Sequence, residues 1–360
     1  PNLLSAFTDL TNCGASSAVT LNLLPGTYSG NFTPPTYLGS GFGLSIGSSS
    51  SNPVDVLVTN GGSGHTFDLS GRSNITIRDI TIRITLPATL SANIACVNTS
   101  GGSNISLLNC RIIADSISTS SYNRPVTTLG TDNFTVQGCT ILNGYYGIYS
   151  SATSPAYSFN NRLIGNTFGE QYYYSVFQSR MRGLVFNNNT VNSTRTGNAS
   201  SYAVYIATSK GVIISSNKLQ GTFGAYGYYF SNIQMDTAAN LPVRMFNNML
   251  TATFTSTTAP RAVYNVMSTT DGLDAMEMAH NSFEVRSALT SATVAGVITF
   301  YGSTTANTAA YLSFRNNSIS LLRTSGTGVG TSLMYYYGQN VIANTLANNN
   351  LYYVDNLLTG

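Results

Sequence analysis

Few residues in this sequence could carry acid–base chemistry, and the densest group of them is Asp271, Asp274, Glu277 and Glu284, the last accompanied by Arg286. Cleaving a glycosidic bond takes two carboxyl groups flanking that bond, so a hydrolase or lyase would have its site in this stretch. Asp271 and Asp274 fall in a TTDGLDA turn, and Glu277 points outward from a strand between Met276 and Met278. Aligning neighbouring segments brings Arg244 beside Glu277, an exposed ion pair of little energetic worth. The two histidines, His65 and His280, offer no cluster, and a hydrogen-bonded structural role is the simpler reading of His280. The four cysteines (Cys13, Cys96, Cys110, Cys139) form no C-x-x-C pair, which argues against zinc. With no His–carboxylate ligand set either, no metal and no cofactor is expected. Gly43-Leu44-Ser45-Ile46-Gly47 has the letters of a nucleophile elbow, but it lacks the helix and the histidine partner that such a serine needs.

Recognition chemistry is better represented. Short segments YGIYS (146–150), YSVFQ (174–178), YAVYI (202–206), YGYYF (226–230), RAVYN (261–265), AGVIT (295–299) and SLMYY (332–336) align with one another. Residues of a strand alternate faces. One face therefore collects Ile148, Val176, Val204, Tyr228, Val263, Val297 and Met334, and reads as the interior. The other collects Tyr149, Phe177, Tyr205, Tyr229, Tyr264 and Tyr335, with Ile298 in the same slot of its segment. Tyrosine suits an outward position because its ring stacks while its hydroxyl stays wet. These six aromatic residues are the candidate binding residues, a flat ladder of rings for sugar faces or for a neighbouring copy.

Such columns need an element that returns at a fixed interval. Ten stretches share the pattern apolar, two variable residues, a ladder position, one variable residue, apolar. The ladder position is Ile80, Cys110 and Cys139, then Asn166, Asn189, Asn217, Asn248, Asn281, Asn317 and Asn349, at gaps of 23 to 36 residues. A period in that range marks a repeat architecture whose units bury a core only by stacking. Asn returning once per coil predicts a ladder of amides hydrogen-bonded from coil to coil. Cys110 and Cys139 then sit in adjacent coils with parallel side chains, which favours buried free thiols over a disulfide.

Charged residues are 8% of the chain, and the net charge of +3 comes without any basic run. Nucleic acid is therefore not an expected partner. No apolar run is long enough to span a bilayer as a helix. Ser, Thr, Asn, Gly and Tyr supply the polarity, a composition that suits an extracellular or cell-surface setting. Nine N-x-S/T sequons occur, a number that chance supplies in so Asn-rich a chain.

Residues 2–10 carry Leu3, Leu4, Phe7 and Leu10 at helical spacing, followed by the strand Val19–Leu24 and Pro25-Gly26-Thr27-Tyr28. A short helix and then a strand ending in PGTY resembles the opening of right-handed parallel β-helix proteins of the pectin-lyase-like superfamily. The phrases SNITIRDITI and GLVFNNNTV resemble their later coils. The resemblance covers nearly the whole chain and implies an all-β, right-handed parallel β-helix of about 11–12 coils. Residues 1–28 would form the cap helix and first strand, and 29–360 one continuous solenoid that ends on an ordinary coil, where the native chain continues or something docks. None of that superfamily's catalytic residues has a matching motif here. The poverty of titratable groups leads to the expectation of a non-enzymatic structural or adhesive module, binding a glycan or a neighbouring copy through the aromatic column. The alternatives are a polysaccharide lyase or glycoside hydrolase with its site near Asp271–Glu284, and a viral or phage spike segment.

Overall fold

The turn that gives the chain its period uses two residues for two different purposes. In the second half of the chain Asn188, Ser216, Asn247, His280, Asn316 and Asn349 each adopt φ between 52° and 58°. Asn and Gly tolerate that left-handed conformation best. The next residue turns its amide inward as the ladder rung. Asn189 donates to Asn217 Oδ1 (3.0 Å), Asn217 to Asn248 (2.9 Å), Asn248 to Asn281 (2.9 Å) and Asn281 to Asn317 (2.9 Å). Asn317 donates to Asn350, not Asn349, at 3.1 Å. The expected last rung is therefore corrected by one residue. In LANNNL the three consecutive asparagines satisfy the pattern in either register, and Asn349 takes the left-handed position.

The computed structural model describes residues 2–36, 42–60, 62–86, 92–195, 198, 200–255, 260–266, 275–288, 295–301, 311–325, 331–337 and 344–356. They form two compact units, Pro1–Gln171 and Tyr172–Gly360. Each is a right-handed parallel β-helix in which all strands but one two-residue strand distribute over three parallel sheets. In the first unit the inward residues of successive coils lie in register. Ile46, Ile77, Leu107 and Val136 stack in the first sheet, Val58, Ile82, Ile112 and Ile141 in the second, and Val97, Val126 and Ile148 in the third. All are fully buried, and each contributes about 1.5–3 kcal/mol by leaving water. The rungs of this unit are mixed: the Cys110 amide donates to Cys139 Sγ (3.3 Å) and the Cys139 amide to Asn166 Oδ1 (2.9 Å). Cys110 and Cys139 are free thiols.

The first unit opens on the helix Leu3–Cys13, capped by Asn2, whose side chain accepts the Ser5 amide at 2.7 Å. Leu3 and Phe7 are buried, while Leu4 stays exposed. A second, exposed amide ladder occurs here that the repeat pattern does not reveal. Asn104 donates to Asn74 (2.9 Å), Asn133 to Asn104 (3.1 Å) and Asn160 to Asn133 (3.3 Å), all four at positive φ. Three of the sequons begin on these residues, so they arise from a left-handed Asn entering a strand with Ser or Thr two residues later.

In the second unit the third sheet comprises Tyr174–Ser179, Tyr202–Ala207, Tyr226–Ser231, Arg261–Val266, Ala295–Tyr301 and Thr331–Tyr337. Val176, Val204, Tyr228 and Val263 point inward and are fully buried. The small residues beside them are obligatory: a Cβ on Gly227 would collide with Leu250 and the Ala262 carbonyl. One register differs from expectation. Val263 pairs with Ile298, and Tyr264 with Thr299, so Ile298 is interior and Thr299 holds the outward slot. Because Val297 and Ile298 are both apolar and both buried, alternation gave no signal there.

Candidate functional site

The outer face of the third sheet is where aromatic and charged side chains meet. Among the described residues, its strands contain one acidic residue, Asp68, and two arginines, Arg124 and Arg261.

In the first unit this sheet comprises Phe67–Asp68, Ile94–Ser100, Asn123–Leu129 and Tyr146–Ser151. Phe67 is buried inward, which turns Asp68 outward. Pairing in register then lines up Asp68, Asn98, Thr127 and Tyr149 on four successive coils. Asp68 Oδ1 accepts the Ser70 hydroxyl (2.7 Å), the Ser70 amide (3.2 Å) and Asn98 Nδ2 (3.0 Å). Its Oδ2 accepts no hydrogen bond among the described residues. Burial alone would raise the Asp68 pKa, but these bonds, with nearby His65, outweigh it and hold the carboxyl below its ordinary value. An ionised carboxylate with one oxygen anchored and one bare is suited to act as a base or nucleophile. His65 accepts the Ala95 amide on Nδ1 at 3.0 Å, so the neutral ring carries its proton on Nε2. Burial lowers its pKa, against the pull of Asp68. With its lone pair engaged, His65 fits a hydrogen-bond donor to a sugar oxygen better than a proton shuttle. Neither Asp68 nor His65 was singled out by sequence reasoning as a site; the Asp-x-Ser spacing of Asp68 and Ser70 was the available signal.

In the second unit the outward rings are where the sequence puts them, but their arrangement differs from a flat ladder. Phe177, Tyr205, Tyr229 and Tyr264 pair coil to coil and are half-buried. A second outward column, Tyr174, Tyr202, Tyr226 and Arg261, runs beside them in register. Phe177 meets Tyr205 at 83°, Tyr205 meets Tyr229 at 84°, and Tyr229 stacks on Tyr202 at 12°. The rings use their faces on each other, because alternating edge-to-face contacts satisfy the ring quadrupoles. What they offer outward is ring edges and hydroxyls. Burial, and after it the neighbouring phenols, pushes the Tyr229 phenol up to about 12, and burial raises Tyr202 and Tyr205 as well. Arg261 binds the Tyr226 hydroxyl (2.9 Å) and the Thr299 hydroxyl (3.0 Å), and lies 4.4 Å over Tyr264. Tyr335 belongs to the strand paired after Thr299.

The acidic stretch does not assemble into a site among the described residues. Glu277 lies on the first sheet with Arg244 at 3.0 Å, and Glu284 on the second with Arg286 at 2.6 Å. Asp271 and Asp274 lie outside the described residues.

No family model matches the sequence, and no curated protein matches it. Solved structures do. A DFA-IIIase (C387A mutant) from Arthrobacter chlorophenolicus A6 in complex with DFA-III is 10% identical, with 99% of this chain and 95% of that chain covered and a TM-score of 0.61. The same mutant enzyme in a second structure is 11% identical, covering 95% and 89%, with a TM-score of 0.60. The GH136 lacto-N-biosidase from Eubacterium ramulus is 10% identical, covering 93% of this chain but 63% of that one, with a TM-score of 0.54. At such identity the likeness establishes the parallel β-helix fold. It also corrects the expectation of a non-enzymatic structural or adhesive module, since the matching structures are enzymes. The inference from scarce charge fails for a physical reason: glycosidic cleavage needs only two carboxyl groups, and a chain with thirteen acidic residues has enough to supply them. No described helix is long and apolar enough to cross a membrane.

Proposed function

We propose that this chain is a carbohydrate-active enzyme that cleaves a glycosidic bond on the outer face of its third sheet. The observation that carries the reading is Asp68: an ionised carboxylate with one bare oxygen, in an outward column that continues with Asn98 and, beyond the buried Thr127, with Tyr149. Polar groups of that kind hold sugar hydroxyls. Asp68 serves as one of the two carboxyl groups that cleavage needs, the base or nucleophile; the second, an acid from outside this sheet's strands, protonates the leaving oxygen, and His65 is a donor to a sugar oxygen. Enzymes of the same architecture that act as a DFA-IIIase and a lacto-N-biosidase support a saccharide substrate. The neutral, hydroxyl-rich composition supports action outside the cell, and the opening helix with PGTY supports a place in the pectin-lyase-like superfamily.

The test is turnover. The chain is incubated with DFA-III, lacto-N-biosides and a panel of polysaccharides, and products are followed by NMR. Asp68→Asn should lower kcat by roughly 10²–10⁴-fold with an unchanged circular dichroism spectrum. Full activity in that variant, or no turnover on any saccharide, would sink the proposal.

A further inference from the structure

Arg124 differs from the arginines of the described ion pairs. In the described ion pairs an arginine faces an acid: Arg78 with Asp79, Arg182 with Asp236, Arg244 with Glu277 and Arg286 with Glu284. Arg124 is more buried, at 8% exposure, and has no carboxylate partner among the described residues. Buried arginines are ordinarily paired. Burial works against its charge, and the groups that favour it are the phenols of Tyr149, Tyr146 and Tyr122. Asp68, in register with Thr127, lies two coils and three residues along the sheet away, roughly 14 Å by strand geometry.

The guanidinium is nevertheless held firmly. Its carbon lies 3.9 Å over the Tyr149 ring and 5.2 Å from that of Tyr146. Nε donates to the Ser121 carbonyl at 2.8 Å. The two Nη atoms donate no hydrogen bond among the described residues, yet neither is sealed from solvent. A fork of donors is thus fixed in orientation by stacking and left open at its tip. The buried Thr127 hydroxyl, in register with Tyr149 one coil earlier, also lacks a partner. A rigid fork of this kind is matched by an oxyanion, which it binds with two parallel bonds and little loss of side-chain freedom. Stacking on tyrosine holds the plane without neutralising it.

The geometry points to Arg124, on its Tyr146–Tyr149 plate, as the receptor for a singly charged oxyanion on the sugar, a carboxylate or a sulfate ester. This rests on the saccharide-cleaving reading and adds that the substrate is charged at one subsite. The anion supplies the counter-charge that the fold omits, and the specificity follows, because a neutral sugar leaves the fork's bonds unmade.

Calorimetric binding of glucuronate, glucose 6-sulfate and glucose to the full chain tests it. One of the charged sugars should bind roughly tenfold or more tightly than glucose, and the better of the two identifies the anion. The preference should shrink at high salt. Arg124→Gln should erase it while leaving glucose affinity unchanged, and Arg124→Lys should restore part of it. Equal binding of all three sugars, or a preference that survives Arg124→Gln, overturns the inference. Should Arg124→Gln not fold, Tyr149→Leu replaces it: a lost preference supports the subsite and an unchanged one overturns it. The readout needs no turnover. A chain that cleaves nothing but keeps the preference defeats the enzymatic reading alone, whereas cleavage of neutral sugars without charge preference defeats this one alone.

Discussion

Asn248 shows how much one side chain carries in this fold. Its Oδ1 accepts both the backbone amide (3.1 Å) and the side-chain amide (2.9 Å) of Asn217. Its Nδ2 donates to the Ile214 carbonyl (3.0 Å) and to Asn281 Oδ1 (2.9 Å). Asn248→Ala strands these partners in the interior and should cost about 2–4 kcal/mol, since each buried group left unpaired costs roughly 1–3 kcal/mol. Asn349→Gly, one residue from its rung and exposed, should stay within about 0.5 kcal/mol, because glycine accepts positive φ freely. Urea midpoints measure both. Equal effects would mean that the rung contributes nothing beyond the turn. The rungs were legible in the sequence because one residue type recurs at one slot. The slot was lost only where Asn348, Asn349 and Asn350 made every register look alike.

At the scale of the sheet, the half-buried tyrosines are structural as well as exposed. Tyr205 contacts Phe177 (5.2 Å) and Tyr229 (4.7 Å) edge to face, and Tyr229 continues to Tyr264 (5.1 Å). Replacing Tyr205 and Tyr229 with Ser, singly and together, should give a folded but less stable protein. A double-mutant cycle should return a coupling of about 1 kcal/mol for the pair. Strictly additive losses would show that the two rings do not support each other. Which face was outward could be read from alternation, and the tilt of the rings could not, because it is set by packing against neighbours two coils wide. Asp68 escaped for a different reason. It occupies a two-residue strand, Phe67–Asp68, with no repeated signal, and gains meaning only when the fold stacks Asn98 beside it. Arg124 likewise looks unremarkable in NRPV until Tyr146 and Tyr149 come to lie against it on the next coil.

Across the whole molecule, the scarcity of charge makes the pH dependence of stability simple to assign. His65 has a lowered pKa in the fold, so the unfolded chain binds the proton first. Stability is therefore full above about pH 6.5, the free histidine value, and declines as pH falls toward the folded pKa. Asp68 and Asp236 are also lowered. For Asp236 the main cause is the hydrogen bonds from Arg182, at 2.7 and 2.9 Å; for Asp68, the bonds from Ser70 and Asn98 prevail over burial. Their contribution is complete above about pH 3.9 and is lost as pH drops through the folded values. Urea midpoints from pH 8 to 3 should therefore fall in two steps. His65→Asn should remove the upper step, and Asp236→Asn should shrink the lower one. A single step near pH 5 would contradict these assignments.

The amide row of the second unit also bears on how the molecule ages. Every rung from Asn217 to Asn317 takes the preceding coil's amide on its oxygen and offers its own nitrogen onward, so all point the same way. Hydrolysis of one such side chain to aspartate replaces a donor by an oxygen facing the next rung's oxygen, in a place water does not reach. The exposed left-handed asparagines can undergo the same conversion and merely gain a solvated charge. Chemical wear is thus harmless on a turn asparagine such as Asn188, Asn247 or Asn316 and destructive on its neighbour. The useful lifetime of the protein is set by the burial that keeps water away from a single column of amides.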